Sequence, residues 1–367
     1  MDFGVMNLFS VPRNDGTDHG IIDEHLEEVQ LADQLGFDTV WLAEHHFSHY
    51  GVAGSPLLMA AAIAERTERI KIGTAVLVLP FYNPLRLAEE IATLDIISQG
   101  RIVIGCGRGY QPNEFAGFGI DPTEARDRYN EVVDVLRLAL SQENWSYEGK
   151  YHKFNNITTY PRPITPGGPE LVHAALNPES FTYLGSKGRR VLTSPTFAPL
   201  SRMKRCFNAY REALTESGYD QNEFGFPFMQ QCWPGTDDED MQKAAEAALE
   251  WWRILGGVAP QSSEALASER ERWERTQRNM DALTVEHLFT HGGAFGSPAK
   301  VAEMILDVKR ELGITEYIGW FRIPTLDRDV SLRAMERFAK EVIPAVREAE
   351  ASADTTLDIP ATSSVHG

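Results

Sequence analysis

The feature that most constrains the fold of this chain is a regular alternation of short apolar runs with segments of helical periodicity. Several of the helical segments begin at Ser-Pro or Asn-Pro and end at Gly, as helices commonly do. Eight evenly spaced units favour a closed parallel barrel over an open doubly wound sheet. The sequence therefore predicts an α/β fold, a (β/α)8 TIM barrel. The eight predicted strands are 3–9, 40–43, 70–78, 102–106, 171–175, 191–194, 225–231 and 317–321.

Two stretches interrupt this alternation. Residues 144–165 are polar and aromatic, which predicts a hairpin insertion after strand four, and residues 233–291 form a largely helical insertion after strand seven. The second leaves from the carboxyl end of a strand, so it is placed to cover a pocket there. We predict one barrel domain over residues 1–350. The Ser, Thr, Ala and Asp residues of 351–367 lack the apolar content to pack, and predict a disordered tail.

Composition narrows the possible partners. The chain has 367 residues and a formal charge of -18, from 53 acidic and 35 basic residues, which argues against nucleic acid and anionic membranes. A phosphate on any ligand then needs a local binding device. No apolar run approaches the roughly 20 residues that span a bilayer, and no secretory leader is readable. With three widely spaced cysteines and no disulfide pattern, a cytoplasmic protein is expected.

A titratable cluster ends the second predicted strand. Glu44, His45 and His46 follow the apolar run, and strand alternation places His45 on the face opposite Glu44 and His46. Such a cluster at the carboxyl end of a barrel strand is typical of catalytic sites. His45 and His49 suggest a metal site, but the segment is not helical and HExxH is absent. We therefore predict no metal; a purely structural histidine pair is the other alternative.

Three places are candidates for holding a phosphate. Arg108 follows a Gly-Cys-Gly sequence in a stretch, 107–119, that we expect to be a loop, and Tyr110 stands where a dinucleotide fingerprint needs glycine. The second candidate is a helix start at residues 177–180, and the third is a glycine-rich loop at 292–296. The residues alone do not choose among them. Cys106 lies beside Arg108, but a buried, inert thiol is its preferred interpretation.

Several short motifs occur in a characteristic order: Ala43-Glu44-His45-His46-Phe47, Gly54-Ser55-Pro56, Ile72 to Pro80, Asn83-Pro84 to Asp95, Ser98 to Tyr110, and Glu179-Ser180. Their order and spacing make the chain resemble the bacterial luciferase-like flavin monooxygenases over about residues 3–347. The resemblance implies a barrel that binds reduced flavin mononucleotide (FMN) at its carboxyl end. By the same resemblance, oxygen would add to the flavin, and the resulting flavin hydroperoxide would oxidise a small, apolar organic substrate. A Gly inserted before Arg108 and the Trp251-Trp252 pair depart from the luciferases proper.

The resemblance also implies roles for individual residues. His45 would be the catalytic imidazole, with Glu44 and His46 supporting it. Ala75-Val76 would form a non-proline cis peptide under the flavin ring. The phosphate would be held at the helix start at 177–180 rather than at the glycine-rich loop. The complete set of expected cofactor-binding residues is Ala75, Val76, Arg108, Tyr110, Asn177, Glu179 and Ser180.

The family resemblance further implies partners. A separate flavin reductase would supply reduced FMN, because no nicotinamide-binding fold is visible in the sequence. The alanine-rich stretch 57–64 suggests close helix packing, and with the family analogy it predicts a homodimer. Three alternatives are a deazaflavin-dependent oxidoreductase, a non-catalytic flavin-binding partner subunit and a metal-dependent barrel hydrolase.

Overall fold

The computed structural model describes residues 1–10, 18–48, 50–194, 198–256, 274–275 and 277–357. The strands among these residues are β1 Asp2–Asn7, β2 Thr39–Leu42, β3 Lys71–Thr74, β4 Leu77–Val78, β5 Ile102–Gly107, β6 Trp145–Glu148, β7 Lys153–Ile157, β8 Glu170–Ala174, β9 Arg190–Leu192, β10 Pro227–Pro234, β11 Gly293–Gly296 and β12 Glu316–Trp320.

Helices follow most of these strands. They are α1 Asp18–Leu35, α2 Pro56–Ala64, α3 Pro84–Ile97, α4 Pro112–Phe118, α5 Ala125–Ser141, α6 Pro178–Ser186, α7 Leu200–Glu216, α8 Asp238–Gly256, α9 Val285–His287, α10 Pro298–Leu312, α11 Arg328–Arg337 and α12 Ile343–Leu357. No helix within the described part of the chain is both long and apolar enough to cross a membrane.

The main sheet is parallel and follows the order β11-β10-β12-β1-β2-β3-β5-β8-β9, with β4 paired to β5. Thr193, directly after β9, forms an isolated parallel bridge with Phe228 of β10. The two edges of the sheet therefore approach each other, and the sheet is curled. A curled parallel sheet with helices between successive strands is the α/β architecture predicted from the apolar periodicity.

Two segments lie outside the simple alternation. The antiparallel hairpin β6–β7 stands between α5 and β8, and α8 with the short α9 stands between β10 and β11. These positions fall within 144–165 and 233–291, whose description as insertions into one domain over 1–350 stays a prediction. Residues 257–273, expected to continue the second segment, lie outside the described residues.

The apolar core has two parts. One lies between the sheet and the surrounding helices and includes Val40 and Ile104, which face outward from the sheet. The other lies inside the curled sheet and includes Met6, Trp41 and Ile318. Because side chains alternate across each strand, nearly continuous apolar strands supply both parts.

Three strand and loop predictions need correction. The stretch 107–119 is not simply a loop, because it contains α4: Pro112 occupies its first turn, where a missing N–H is tolerated, and Gly119 ends it with φ 66°. The predicted strand 70–78 is interrupted at Ala75-Val76, which divides it into β3 and β4. The glycine-rich stretch 292–296 is largely strand β11, paired with β10.

Helix α12 reaches into the stretch 351–367, whose description as a disordered tail stays a prediction. Helix α12 continues to Leu357, seven residues into 351–367. The reason for this extent is local, since alanines at 349, 351 and 353 are strong helix formers and no proline occurs between Pro344 and Pro360. Residues 358–367 lie outside the described residues.

Glu316 is a buried carboxyl group inside the curled sheet, at the amino end of β12. Its Oε1 accepts hydrogen bonds from Trp41 Nε1, at 2.8 Å, and from the Thr39 hydroxyl. Burial raises the pKa of Glu316 to about 7, against the opposing effect of these two donors. A neutral, protonated acid is therefore well populated near neutral pH.

Glu316→Gln should make the stability less dependent on pH. The raised pKa means that the contribution of Glu316 to stability is present below its ordinary pKa of 4.5 and is lost as the pH rises through about 7. Glutamine mimics the protonated acid at every pH. The free energy of unfolding of the variant, relative to that of the wild type, should therefore rise by on the order of 3 kcal/mol as the pH is raised from 4 to 8. Urea denaturation across this range measures the difference. The exposed Glu148→Gln is the control, and a pH-independent difference for Glu316→Gln would contradict the prediction.

Candidate active site

His45 follows β2 at the mouth of the barrel, in step with Trp41 and Ala43, which belong to the interior cluster. Its Nδ1 lies 3.0 Å from Oε1 of Glu114, and both side chains are buried. The same oxygen accepts the His46 backbone N–H at 3.0 Å. The oxygens of an ionised carboxylate can only accept, so beside the Glu114 carboxylate it is Nδ1 of His45 that carries the proton in this contact. Nε2 is then the nitrogen that can exchange a proton with a bound molecule.

Glu44 has different partners. Its Oε1 lies 2.9 Å from Nε2 of His46, and its Oε2 accepts the Val78 backbone N–H at 3.0 Å and the Tyr82 hydroxyl at 2.7 Å. The sequence suggested that Glu44 and His46 support His45. The structure instead pairs them with each other and ties both to the segment that follows β3. The carboxylate that contacts His45 comes from α4.

Aromatic rings surround the His45 imidazole. Tyr50 stacks on it with ring centroids 4.0 Å apart, and Tyr110 lies edge-on at 6.0 Å. The Tyr110 hydroxyl lies 3.4 Å from that of Tyr50, while 52% of Tyr110 is exposed. Tyr110, an expected cofactor-binding residue, therefore stands beside His45 with part of its ring open to a ligand.

The Ala75-Val76 peptide is cis, as predicted from the family resemblance. The neighbouring strand β5 accommodates this segment through two glycines. A Cβ at Gly105 would lie 1.8 Å from the Thr74 carbonyl oxygen, and one at Gly107 would lie 2.1 Å from a Val76 methyl group. Any side chain at either position would push the segment away. These glycines are therefore explained by the close approach of two chains.

The expected phosphate-binding residues lie at neighbouring strand ends. Arg108 follows β5 and is exposed, and α6 begins after the adjacent strand β8. Asn177 caps α6, its Oδ1 accepting the Ser180 backbone N–H at 2.9 Å. Glu179 is 76% exposed on its side chain and pairs with Arg126 of α5 at 3.1 Å. The structure thus adds a second guanidinium to this region.

Contacts behind these residues hold α5 beside α6. The Tyr129 hydroxyl lies 2.5 Å from His173 Nδ1 on β8, and the Tyr183 hydroxyl donates to Asn130 Oδ1 at 2.8 Å. Burial, helped by the positive charge of Arg189, lowers the pKa of His173 to about 3. His173 is therefore a neutral hydrogen-bonding group, and it joins β8 to α5 within the core.

Cys106 is fully buried, and this burial raises the pKa of its thiol to about 12. The prediction that this thiol is buried is confirmed, and its raised pKa disfavours the reactive thiolate. Among the residues that the structure describes, no three His, Cys, Asp or Glu side chains come together as metal ligands. His49, which entered the metal hypothesis, lies outside the described residues.

Sequence reasoning missed Glu114 and Arg126. Glu114 had a detectable signal, because Gln111-Pro112-Asn113-Glu114 places proline and an acidic residue in a first helical turn. That signal predicts α4 but not which histidine the carboxylate reaches. Arg126 had no such signal, since its proximity to Glu179 depends on the packing of α5 against α6.

Comparison with known proteins establishes the class. The family model described as luciferase-like monooxygenase matches residues 1–316, and the chain belongs to this family. The resemblance drawn from the motifs is thereby confirmed.

Individual relatives share most of their length with this chain. The oxygenase component of a flavin-dependent trigonelline monooxygenase from Acinetobacter baylyi is 25% identical, with 91% of this chain and 92% of that protein covered. The alkanal monooxygenase alpha chain of Aliivibrio fischeri is 28% identical, with coverages of 86% and 90%. Among solved structures, the monooxygenase RslO1 from Streptomyces bottropensis superposes with a TM-score of 0.79 at 27% identity, covering 94% of this chain and 99% of that one.

Glu114→Ala should destabilise the fold, because it leaves the buried Nδ1 of His45 and the backbone N–H of His46 without their shared acceptor. We expect the free energy of unfolding to fall by about 1–3 kcal/mol, as measured by urea denaturation. Glu90→Ala, which breaks a surface pair with Arg86 one helical turn away, is the matched control and should change it by less than about 0.5 kcal/mol. Equal effects of the two variants would contradict the assigned role of Glu114.

Proposed function

We propose that this chain is the oxygenase of a two-component monooxygenase, which uses reduced FMN and O2 to oxidise a small, largely apolar organic substrate. Family membership supports flavin-dependent oxygenation in general. The observation that carries the specific proposal is the buried His45, held by Glu114 at the barrel mouth near the cis Ala75-Val76 peptide.

The donor set fits a flavin phosphate. Arg108 and Arg126 bring two guanidinium groups to the region where α6 begins, in a chain whose formal charge is -18. Guanidinium groups bind phosphate oxygens with paired hydrogen bonds, and a helix start adds backbone N–H donors. The Ser180 hydroxyl lies in the same first turn. These residues would hold the phosphate.

The ring would then lie over the Ala75-Val76 segment, whose position depends on Gly105 and Gly107 of β5. When bound, reduced FMN supplies the two electrons that activate O2, so that one oxygen atom enters the substrate and the other leaves as water. The protein positions the ring, excludes bulk water and moves protons. His45 is the proton carrier at Nε2, because Glu114 holds the proton on Nδ1.

Exclusion of water is supported by the apolar interior above Trp41. Trp252 of α8 packs edge-on against Trp320 at the end of β12, with ring centroids 5.5 Å apart. Trp233 lies in the same interior cluster. Large apolar side chains in this place would protect a reactive bound group from water.

The partners follow from the same proposal. A relative is the oxygenase component of its system, which supports a separate reductase as the source of reduced FMN. A homodimer is also proposed. Leu58 is 72% exposed on the alanine-rich helix α2, and an exposed leucine there suits packing against a second copy.

His45→Ala tests the central role. When reduced FMN bound to the wild type is mixed with O2, oxidised flavin should appear more slowly than in buffer. Loss of the imidazole removes the proton carrier and should therefore lower this rate by roughly 100-fold, while the affinity for reduced FMN stays within about threefold. Stopped-flow absorbance measures the rate, and His152→Ala on the β6–β7 hairpin is the control. An unchanged rate in His45→Ala would remove its proposed role.

The same measurement tests the function itself. Absence of affinity for reduced FMN, or reoxidation as fast as in buffer, would exclude the proposed monooxygenase. Binding of a reduced deazaflavin in preference to FMN, without oxygen consumption, would favour the deazaflavin-dependent alternative. Binding of reduced FMN without any effect of His45→Ala would favour the non-catalytic flavin-binding subunit.

Arg126→Ala tests the phosphate site. The affinity for reduced FMN should fall by roughly 10- to 100-fold, because a charge-assisted hydrogen bond is lost, while the affinity for reduced riboflavin, which lacks the phosphate, stays unchanged. Equilibrium titration under anaerobic conditions measures both. Arg128→Ala on the same helix pairs with Glu124 and serves as the control. Equal losses for the two flavins would instead indicate a structural role through Glu179.

A further inference from the structure

Gln231 carries a buried amide group in which, within the described part of the chain, only the oxygen has a hydrogen-bond partner. It lies on β10 and is 3% exposed. Its Oε1 accepts a hydrogen bond from Trp252 Nε1 at 3.0 Å. Its Nε2 has no hydrogen-bond partner among the residues that the structure describes. Buried amide nitrogens are normally paired, so this one calls for an acceptor from outside the described chain.

The orientation of the amide is fixed by chemistry. An indole N–H can only donate, so the oxygen of Gln231, and not its nitrogen, must face Trp252. Turning the amide over would bring two donors together and leave the oxygen unpaired. Both N–H groups of Gln231 must therefore point away from Trp252.

The position of Gln231 links it to the interior of the barrel mouth. Met229 and Trp233, two residues away on either side, belong to the interior apolar cluster, so Gln231 faces the same way. Its register partner on β12 is Trp320, which packs against Trp252. In the sheet, β10 is separated from β3 by β12, β1 and β2. Gln231 therefore stands across the barrel from the cis peptide that follows β3.

We propose that Gln231 is a specificity-determining residue that donates a hydrogen bond to a neutral carbonyl oxygen of the organic substrate. This inference rests on the proposed function, because it concerns the organic substrate of that monooxygenase. It adds the chemical class of that substrate, a rigid, largely apolar ketone or related carbonyl compound. The walls beside the amide are Trp252 and Trp320, which suit a flat apolar body. A carboxylate would need a buried cation, and Met229, Trp233 and the two tryptophans carry none.

The flavin ring carries carbonyl groups too, and could in principle present the same acceptor. The position of Gln231 favours the substrate. The proposed phosphate residues Arg108 and Arg126 and the cis peptide lie with β3, β5 and α5, on the other side of the barrel. The test therefore measures flavin and ketone binding separately.

The experiment compares ketones with hydrocarbons in which CH2 replaces the carbonyl group. Three pairs of increasing size serve as probes: cyclohexanone and cyclohexane, 1-tetralone and tetralin, and fluorenone and fluorene. Dissociation constants for each probe, with and without reduced FMN, and for reduced FMN itself are measured by anaerobic calorimetry on the full chain. For at least one pair, the wild type should bind the ketone about tenfold more tightly than the hydrocarbon. Gln231→Leu should abolish this preference and leave the hydrocarbon affinity unchanged.

Two further variants separate specificity from structure. Trp252→Phe removes the indole N–H that orients the amide, and should reduce the preference for the ketone several-fold. Gln230→Leu, the adjacent residue that accepts a bond from the Tyr317 hydroxyl, is the matched control and should keep the wild-type preference.

Several outcomes would overturn the inference. One is a wild type with no ketone preference in any of the three pairs. Another is a Gln231→Leu variant that loses ketone and hydrocarbon affinity equally, which would indicate a structural role. A third is a fall in reduced-FMN affinity in Gln231→Leu with the ketone preference intact, which would assign the amide to the flavin. A ketone preference in a protein that does not bind reduced FMN would instead refute the proposed function and leave the carbonyl site standing.

Discussion

The candidate site depends on two buried carboxylates that hold two adjacent histidines in different environments. Glu114 binds the His45 ring and the His46 backbone, while Glu44 binds the His46 ring and the segment after β3. A buried carboxylate needs hydrogen-bond donors, and here the donors are the functional side chains and their own backbone. The same hydrogen bonds therefore offset the cost of burying the carboxylates and hold the imidazole rings in position.

Polar groups inside the barrel occur at two levels. Near the amino ends of the strands, Glu316 is enclosed with Trp41 and Thr39, and all three hydrogen-bond to one another. Near the carboxyl ends, Gln231 has one partner, and its Nε2 is unpaired among the residues that the structure describes. A satisfied polar group stabilises a fold, whereas an unsatisfied buried donor at the binding end of a barrel is a candidate partner for a ligand. The polar group near the amino ends of the strands thus has a structural role, whereas the one near the carboxyl ends lies in the proposed binding region.

Much of the architecture could be predicted from periodicity. The apolar runs gave the strands to within a few residues, and Asn177-Pro178 gave the start of α6 correctly. The errors have physical causes. The cis peptide at Ala75-Val76 divides a strand that its apolar residues predict to be continuous. The stretch at 292–296 is rich in glycine because β11 lies against β10, where a Cβ at Gly293 would lie 2.4 Å from the Gln231 carbonyl oxygen.

The class of fold, the family and the presence of His45 at a strand end could be read from the amino-acid sequence, because they depend on local periodicity and on motifs that are contiguous in the chain. The carboxylate that contacts His45 could be identified only in the folded protein, since Glu114 is 69 residues away and lies on a separate helix. The same holds for Arg126 beside Glu179 and for Trp252 against Gln231. Contacts between distant segments are set by how helices pack on the sheet, and no spacing within one segment encodes them.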